Sequence, residues 1–314
     1  MKRELEEARH ELEQVISGKE DVIGRILTAV IAGGHILLDD VPGVGKTTLA
    51  VALGKILDLT CRRIQFTPDV LPSDIVGFSM YDKESGTFLY RPGIVNGANL
   101  LLGDEINRTS SKTQSALLEA MEEKQVTVDG NTYPLPDPFL VIATQNQVGM
   151  AGTQTLPYAQ LDRFMVCLKV GYPDHAAQME LLRARRTGDP LEKVKKVMSR
   201  ETLLDMQRNA RQVTVKDSVL DYIARLCIAS RAHPWIDVGV SPRGSLFLER
   251  MSQARAFADG RDYVTAADVQ AVFHDICAHR IVLSRKARAE GCTAVQALNA
   301  LLKDIKNPDR GEKA

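Results

Sequence analysis

Three short stretches carry residues whose types and spacing suit phosphate chemistry. The first, residues 36–49, reads ILLDDVPGVGKTTL. Glycines at 43 and 45 let the backbone approach a polyphosphate and turn its N–H groups inward. Lys46 is spaced to reach β- and γ-phosphates, and Thr47 to place its hydroxyl on Mg²⁺. The helix opening there adds unpaired N–H groups and the positive end of its dipole. The expected nucleotide-contacting residues are therefore Pro42, Gly43, Val44, Gly45, Lys46, Thr47 and Thr48. Asp40 stands where the strict pattern has glycine. An ordinary Gly-rich turn would look similar, so the second stretch decides. Residues 100–105, LLLGDE, are an apolar run ending in two acids. Asp104 suits a Mg²⁺ ligand, directly or through water. Glu105 suits a carboxylate that takes a proton from an attacking water or orients it. Paired acids of this kind favour hydrolysis over transfer to a small molecule. The third stretch, residues 141–146, ends its apolar run on Asn146. An amide there can hydrogen-bond the γ-phosphate or the attacking water.

These groups must be held along one edge of a sheet. Residues 36–38, 61–66, 98–102, 139–144 and 166–170 read as short strands, most of them buried. Residues 47–57 and 110–124 read as helices between them. That alternation predicts an α/β, three-layer fold of the P-loop NTPase kind, with a parallel sheet covered on both faces. Residues 1–34 read as two helices broken at Gly18. The Pro- and Gly-rich segment 67–97 holds a hairpin or loop around residues 81–87. Residues 125–129 and 132–135 read as a second hairpin, turning at Gly130-Asn131. Beyond residue 174 no strand pattern appears. Residues 176–186, 201–211, 215–233, 242–259, 266–280 and 293–305 read as amphipathic helices. Ser241-Pro242 and the pair Thr265 and Asp268 mark two of their starts. The expected organisation is an α/β nucleotide-binding domain over 1–172, a linker over 173–190 and an all-helical domain over 191–314.

Bulk composition narrows the partners. The chain has 314 residues, enough for two cores, and 40 basic against 40 acidic side chains. A zero net charge argues against a dedicated nucleic-acid binder. Five scattered cysteines form no C-x-x-C pair and fit a reducing compartment. No apolar run approaches the ~18 residues of a membrane span. The opening MKRELEEARHELEQ has no apolar signal core. A cytoplasmic protein is expected.

Taken together, DDVPGVGKTTL, LLLGDEINRTSSKTQSALLEAMEEKQVTVDG, PFLVIATQN, LPYAQLDRFM and GVSPRGSL resemble the MoxR family of AAA+ ATPases, over about residues 15 to 302. The resemblance implies ATP as substrate, ADP as product and Mg²⁺ as cofactor. Lys46 and Thr47 match the Walker A residues, Asp104 and Glu105 Walker B, and Asn146 sensor 1. Arg163, in LDRF, falls at the arginine finger that enters the neighbouring subunit's site. Arg243, in SPRGS, falls at sensor 2 on the helical lid, which would carry it on and off the phosphates during turnover. Ile16 and Gly18 fall near the adenine, where Lys19 replaces a frequent glutamine. The family also implies a homo-oligomeric ring, a hexamer, that remodels or assembles other proteins, metal-containing ones among them. Its expected partners are a client protein and a von Willebrand factor A domain protein. Arg108 is a further candidate for subunit contact.

Two alternatives are kept. A nucleic-acid ring motor would need Lys or Arg on its insertions. Residues 78–90 contain one Lys and no Arg, and residues 125–135 contain neither, so no nucleic acid is expected. A chelatase-like ATPase subunit would share the fold.

Overall fold

The structure is a computed structural model and describes residues 1–41, 43–145, 156–186 and 188–308. Pro42 and Asn146, both expected site residues, lie outside the described residues.

Two N-terminal helices, α1 (Lys2–Val15) and α2 (Glu20–Ile31), turn about left-handed Gly18 (φ 71°). The chain then enters β1 (Ile36–Asp39), the phosphate loop and α3 (Lys46–Ile56). Next come β2 (Cys61–Gln65), a short α4 (Pro72–Val76) and the antiparallel hairpin β3 (Gly77–Asp82) and β4 (Thr87–Pro92). Buried β5 (Leu100–Asp104) leads to α5 (Ser111–Glu123), whose Ser110 cap accepts from the Thr113 N–H at 3.3 Å. A second hairpin, β6 (Gln125–Val128) and β7 (Asn131–Pro134), precedes buried β8 (Leu140–Gln145). A single turn, α6 (Tyr158–Leu161), precedes β9 (Val166–Leu168).

Five of these strands form one parallel sheet in the order β2-β5-β8-β1-β9. Alternate residues face opposite layers, as the twofold period of a strand requires. Ile36, Leu38, Leu100, Leu102 and Ile142 pack with α2 and α3, while Leu37, Leu101, Val141 and Ala143 pack with α5. The register pairs Gln65 with Asp104 and Asp39 with Gln145. The carboxyl ends of four neighbouring strands are thus level, and the functional groups lie along that edge.

The second half runs through α7 (His175–Arg186), α8 (Pro190–Lys193), α9 (Arg200–Ala210) and α10 (Asp217–Ala232). It continues with α11 (Pro242–Ala258), α12 (Ala266–Cys277), α13 (Arg285–Ala289) and α14 (Ala294–Asp304). Helix α11 is central, with Leu248, Met251 and Ala254 fully buried. This half is not wholly helical. A small antiparallel pair, β10 (Ile236–Val238) and β11 (Val282–Leu283), joins segments distant in sequence. Neither segment alternates long enough to signal a strand. The β6–β7 turn also sits one residue earlier than expected, at Asp129-Gly130. Both residues have positive φ (49° and 79°), the geometry a two-residue hairpin turn prefers.

Candidate nucleotide site

The phosphate loop is shaped by left-handed glycines at 43 (φ 84°) and 45 (φ 90°). A side chain at 45 would be strained by that backbone and would come 3.3 Å from Ile16 Cδ1. That contact places Ile16 directly on the loop. A Cβ at Gly18 would lie 2.6 Å from the Ala177 Cβ of α7. The α1–α2 turn is therefore wedged between the loop and α7. Lys19 reaches across and donates its Nζ to the Tyr172 carbonyl at 2.8 Å.

Asp40, in the place of the usual glycine, is 5 % exposed. Its carboxylate accepts from the Val41 N–H (2.7 Å) and the Gly171 N–H (2.5 Å). It ties the loop's entry to the chain leaving β9, rather than facing a phosphate.

Lys46 opens α3 and is itself buried. Its Nζ donates to the carbonyls of Asp40 (3.0 Å) and Gln145 (3.4 Å). Burial lowers its pKa, opposed first by Asp40 and Asp104, then by Asp39 and Glu105. An ammonium drawn out of water among carbonyls is a strong electrostatic anchor for phosphate oxygens. The Thr47 hydroxyl donates to Asp104 Oδ2 at 3.4 Å, so the two expected metal ligands meet. Among the described residues no group of three or more His, Cys, Asp or Glu could cage a metal by itself. Mg²⁺ fits this donor set nonetheless, because it takes one or two protein oxygens alongside phosphates and water.

Glu105 is held in the left-handed region (φ 57°), an uncommon backbone for such a residue. Its N–H donates to Thr144 Oγ1 at 2.9 Å, and that hydroxyl donates to Asp104 Oδ1 at 3.4 Å. Its Oε2 accepts from Gln65 Nε2 (3.0 Å) and Arg108 Nη1 (2.7 Å). Arg63 Nε, also from β2, donates to Asp104 Oδ2 at 2.7 Å. Sequence reading missed Arg63, Gln65 and Thr144. The signal for the first two was present: β2 reads CRRIQ, polar where the other sheet strands are apolar. Arg108 was noted only as a subunit contact; here it pairs with Glu105.

Arg163 and Arg243 are not part of this edge. Arg163 precedes β9 and donates its Nε to Glu122 Oε2 at 2.9 Å. Arg243, in the first turn of α11, donates to the other oxygen of the same Glu122. They border a cavity of about 290 Å³ also lined by His35, Lys124, Arg211 and Arg250. His35 leads into β1, so this cavity lies at the amino end of the sheet. The phosphate loop lies at the other end, roughly 13 Å away along the strand. In this structure Arg243 therefore lies on Glu122 at that end rather than on its own Lys46.

A parallel sheet of this order, a Gly-Lys-Thr loop after β1, an Asp-Glu end on β5 and a following helical half define an AAA+ ATPase. Residues 35–166 match the family model for the ATPase family associated with various cellular activities (AAA), and residues 228–301 match that of the AAA lid domain. The chain is 45 % identical to the uncharacterized protein YeaC of Bacillus subtilis (strain 168), over 97 % of this chain and 95 % of that one. It is 38 % identical to Chaperone MoxR1 of Mycobacterium tuberculosis, over 97 % of this chain and 82 % of that one. It also superposes on the crystal structure of a proposed ATPase from Cytophaga hutchinsonii, with a TM-score of 0.89 and 39 % identity, covering 98 % and 95 % of the two chains. The chain belongs to the MoxR family of AAA+ ATPases.

Proposed function

We propose that this chain hydrolyses ATP to ADP and phosphate only when copies assemble head to tail into a ring, a hexamer, and that the ring remodels other proteins as a cytoplasmic chaperone. The observation that carries this reading is the split between the two edges of the sheet. Lys46, Thr47, Asp104 and Glu105 gather at one end, and Arg163 and Arg243 at the other. A head-to-tail contact would set the arginines of one copy on the nucleotide of the next.

In this reading the loop N–H groups of residues 43–48 and the Lys46 ammonium hold the β- and γ-phosphates. Ile16 and Gly18 flank the adenine. Mg²⁺ held by Thr47 and Asp104 would neutralise phosphate charge and polarise the bond to be cut. Glu105 takes a proton from the attacking water, whose oxygen bonds the γ-phosphorus as ADP leaves. Asn146 orients that water. Gln65 and Arg108 fix the Glu105 carboxylate, and Thr144 fixes its backbone. The neighbour's Arg163 and Arg243 meet the charge that develops on the γ-phosphoryl group. Residues 173–190 serve as the linker between a nucleotide-binding domain (1–172) and a lid (191–314). The β3–β4 hairpin exposes Phe78, Met80, Tyr81 and Phe88, an apolar surface that suits contact with a client protein. A von Willebrand factor A domain partner rests on the family alone.

The test is subunit mixing. Arg163→Ala should bind ATP normally but turn over roughly 10³-fold more slowly. Glu105→Gln should also bind and not turn over. Mixed together they should recover activity, since intact half-sites then face each other. Absence of recovery in a verified mixed assembly sinks the trans assignment.

A further inference from the structure

Arg280 is fully buried in the 3₁₀ turn (Ala278–Arg280) that ends α12. Its Nε donates to Asp162 Oδ1 at 2.9 Å. Its Nη2 donates to the carbonyls of Asp162 (2.8 Å) and Phe164 (2.5 Å), and its Nη1 to those of Met165 (3.1 Å) and Ile276 (2.6 Å). Four of these five acceptors bracket Arg163 in sequence. A guanidinium this far from water persists only when its planar fork of donors is met, and here carbonyls converge on it from several directions.

The same group packs on α11. A Cβ at Gly244 would come 2.9 Å from Arg280 Cδ, and the Phe247 ring lies 5.0 Å from its Cζ. The Asp162 carboxylate completes the link. Besides Arg280, it accepts from Ser241 Oγ at 2.8 and 2.9 Å. Ser241 caps α11 two residues before Arg243. One buried cation and one carboxylate therefore hold both the backbone around Arg163 and the helix end that carries Arg243. Their side chains then converge on Glu122.

We infer that Arg280 is a positioning residue that locks segment 162–165 and the first turns of α11 into one unit, so that Arg163 and Arg243 reach the neighbouring subunit's nucleotide together. This rests on the trans reading above. Arg280 touches no nucleotide; it acts through the two arginines. Lysine cannot replace it, because a single ammonium cannot meet acceptors spread around a planar fork.

The test uses Arg280→Lys in the full chain, with ATP affinity, turnover and mixing read in parallel. ATP affinity of its own site should be unchanged, because that site lies at the other end of the sheet. Turnover should fall about 100-fold, in kcat rather than KM, as expected when a group is misplaced by an ångström or so. Mixed with Glu105→Gln, it should recover as fully as Arg163→Ala does in the same mix. If the Arg163→Ala mix recovers and the Arg280→Lys mix does not, Arg280 is merely structural and the inference fails alone. Loss of ATP affinity in Arg280→Lys has the same meaning. If neither mix recovers, the trans reading itself has failed. Should Arg280→Lys not fold, Ser241→Ala removes one hydroxyl from the same link. A drop in kcat that mixing restores supports the inference, and an unchanged kcat overturns it.

Discussion

Asp40 illustrates how a departure from a motif can be structural. Its two backbone bonds fasten the phosphate loop to Gly171, and its own carbonyl receives Lys46. Asp40→Gly would restore the strict pattern yet remove both ties. We expect no gain in ATP affinity and a loss of roughly 1–3 kcal/mol of stability, because two partly buried N–H groups lose their acceptors. Equilibrium urea unfolding measures the second and nucleotide titration the first. A stabilised or tighter-binding variant would show that the carboxylate is not a tie. Glu105 makes the complementary case. Its backbone is set by Thr144 and its carboxylate by Gln65 and Arg108. Gln65→Ala should therefore lower kcat while leaving ATP binding intact. Equal kcat in the two proteins would remove Gln65 from the site. Lys46→Ala, by contrast, should abolish binding itself, which a fluorescent nucleotide reports directly.

At the scale of elements, His35 ties three of them together. It leads into β1, its Nδ1 accepts from the Val141 N–H of β8 at 3.0 Å, and its Nε2 donates to the Met121 carbonyl of α5 at 3.1 Å. That pattern needs the neutral ring, and burial lowers its pKa to about 4. The ordinary value is about 6.5, so the unfolded chain binds a proton there that the folded chain refuses. Stability from this group is complete above about 6.5 and is lost as pH falls toward 4, on the order of 3 kcal/mol in all. His279, also pushed well down by burial, adds a slope of the same sign. Urea midpoints measured at pH 7.5 and pH 5 should fall with acid. The fall should shrink in His35→Asn, whose Oδ1 can still accept from Val141. An equal slope in the variant would rule His35 out as its source. Much at this scale was legible beforehand. The parallel strands, the second hairpin and the helix starts at Ser241 and Thr265 follow from apolar period and local capping chemistry. The β10–β11 pair was not legible, because two- and three-residue strands joined across the fold leave no local period.

At the scale of the whole molecule, the proposed trans arrangement would make activity a property of the assembly. Turnover per subunit should rise with protein concentration and level off once sedimentation shows the oligomer complete. A per-subunit rate that stays constant on dilution to monomers would contradict it. The neutral charge balance adds a second expectation, that DNA or RNA will not stimulate turnover. Many-fold stimulation with a steep salt dependence would revive the motor alternative.

Local chemistry fixed where a phosphate loop, a pair of acids and a helix cap would form, because each depends on residues adjacent in sequence. Asp104, Glu105, Lys46 and Thr47 were recognisable for that reason. Which groups face one another is a different matter, set by strand order and by helices returning from the far half of the chain. Only the folded chain placed Gln65 beside Glu105, Arg280 around the backbone of Arg163, and Arg243 on Glu122 rather than over its own Lys46. Those pairs are dozens of residues apart, and no local period or cap records which of the many distant partners a side chain will meet.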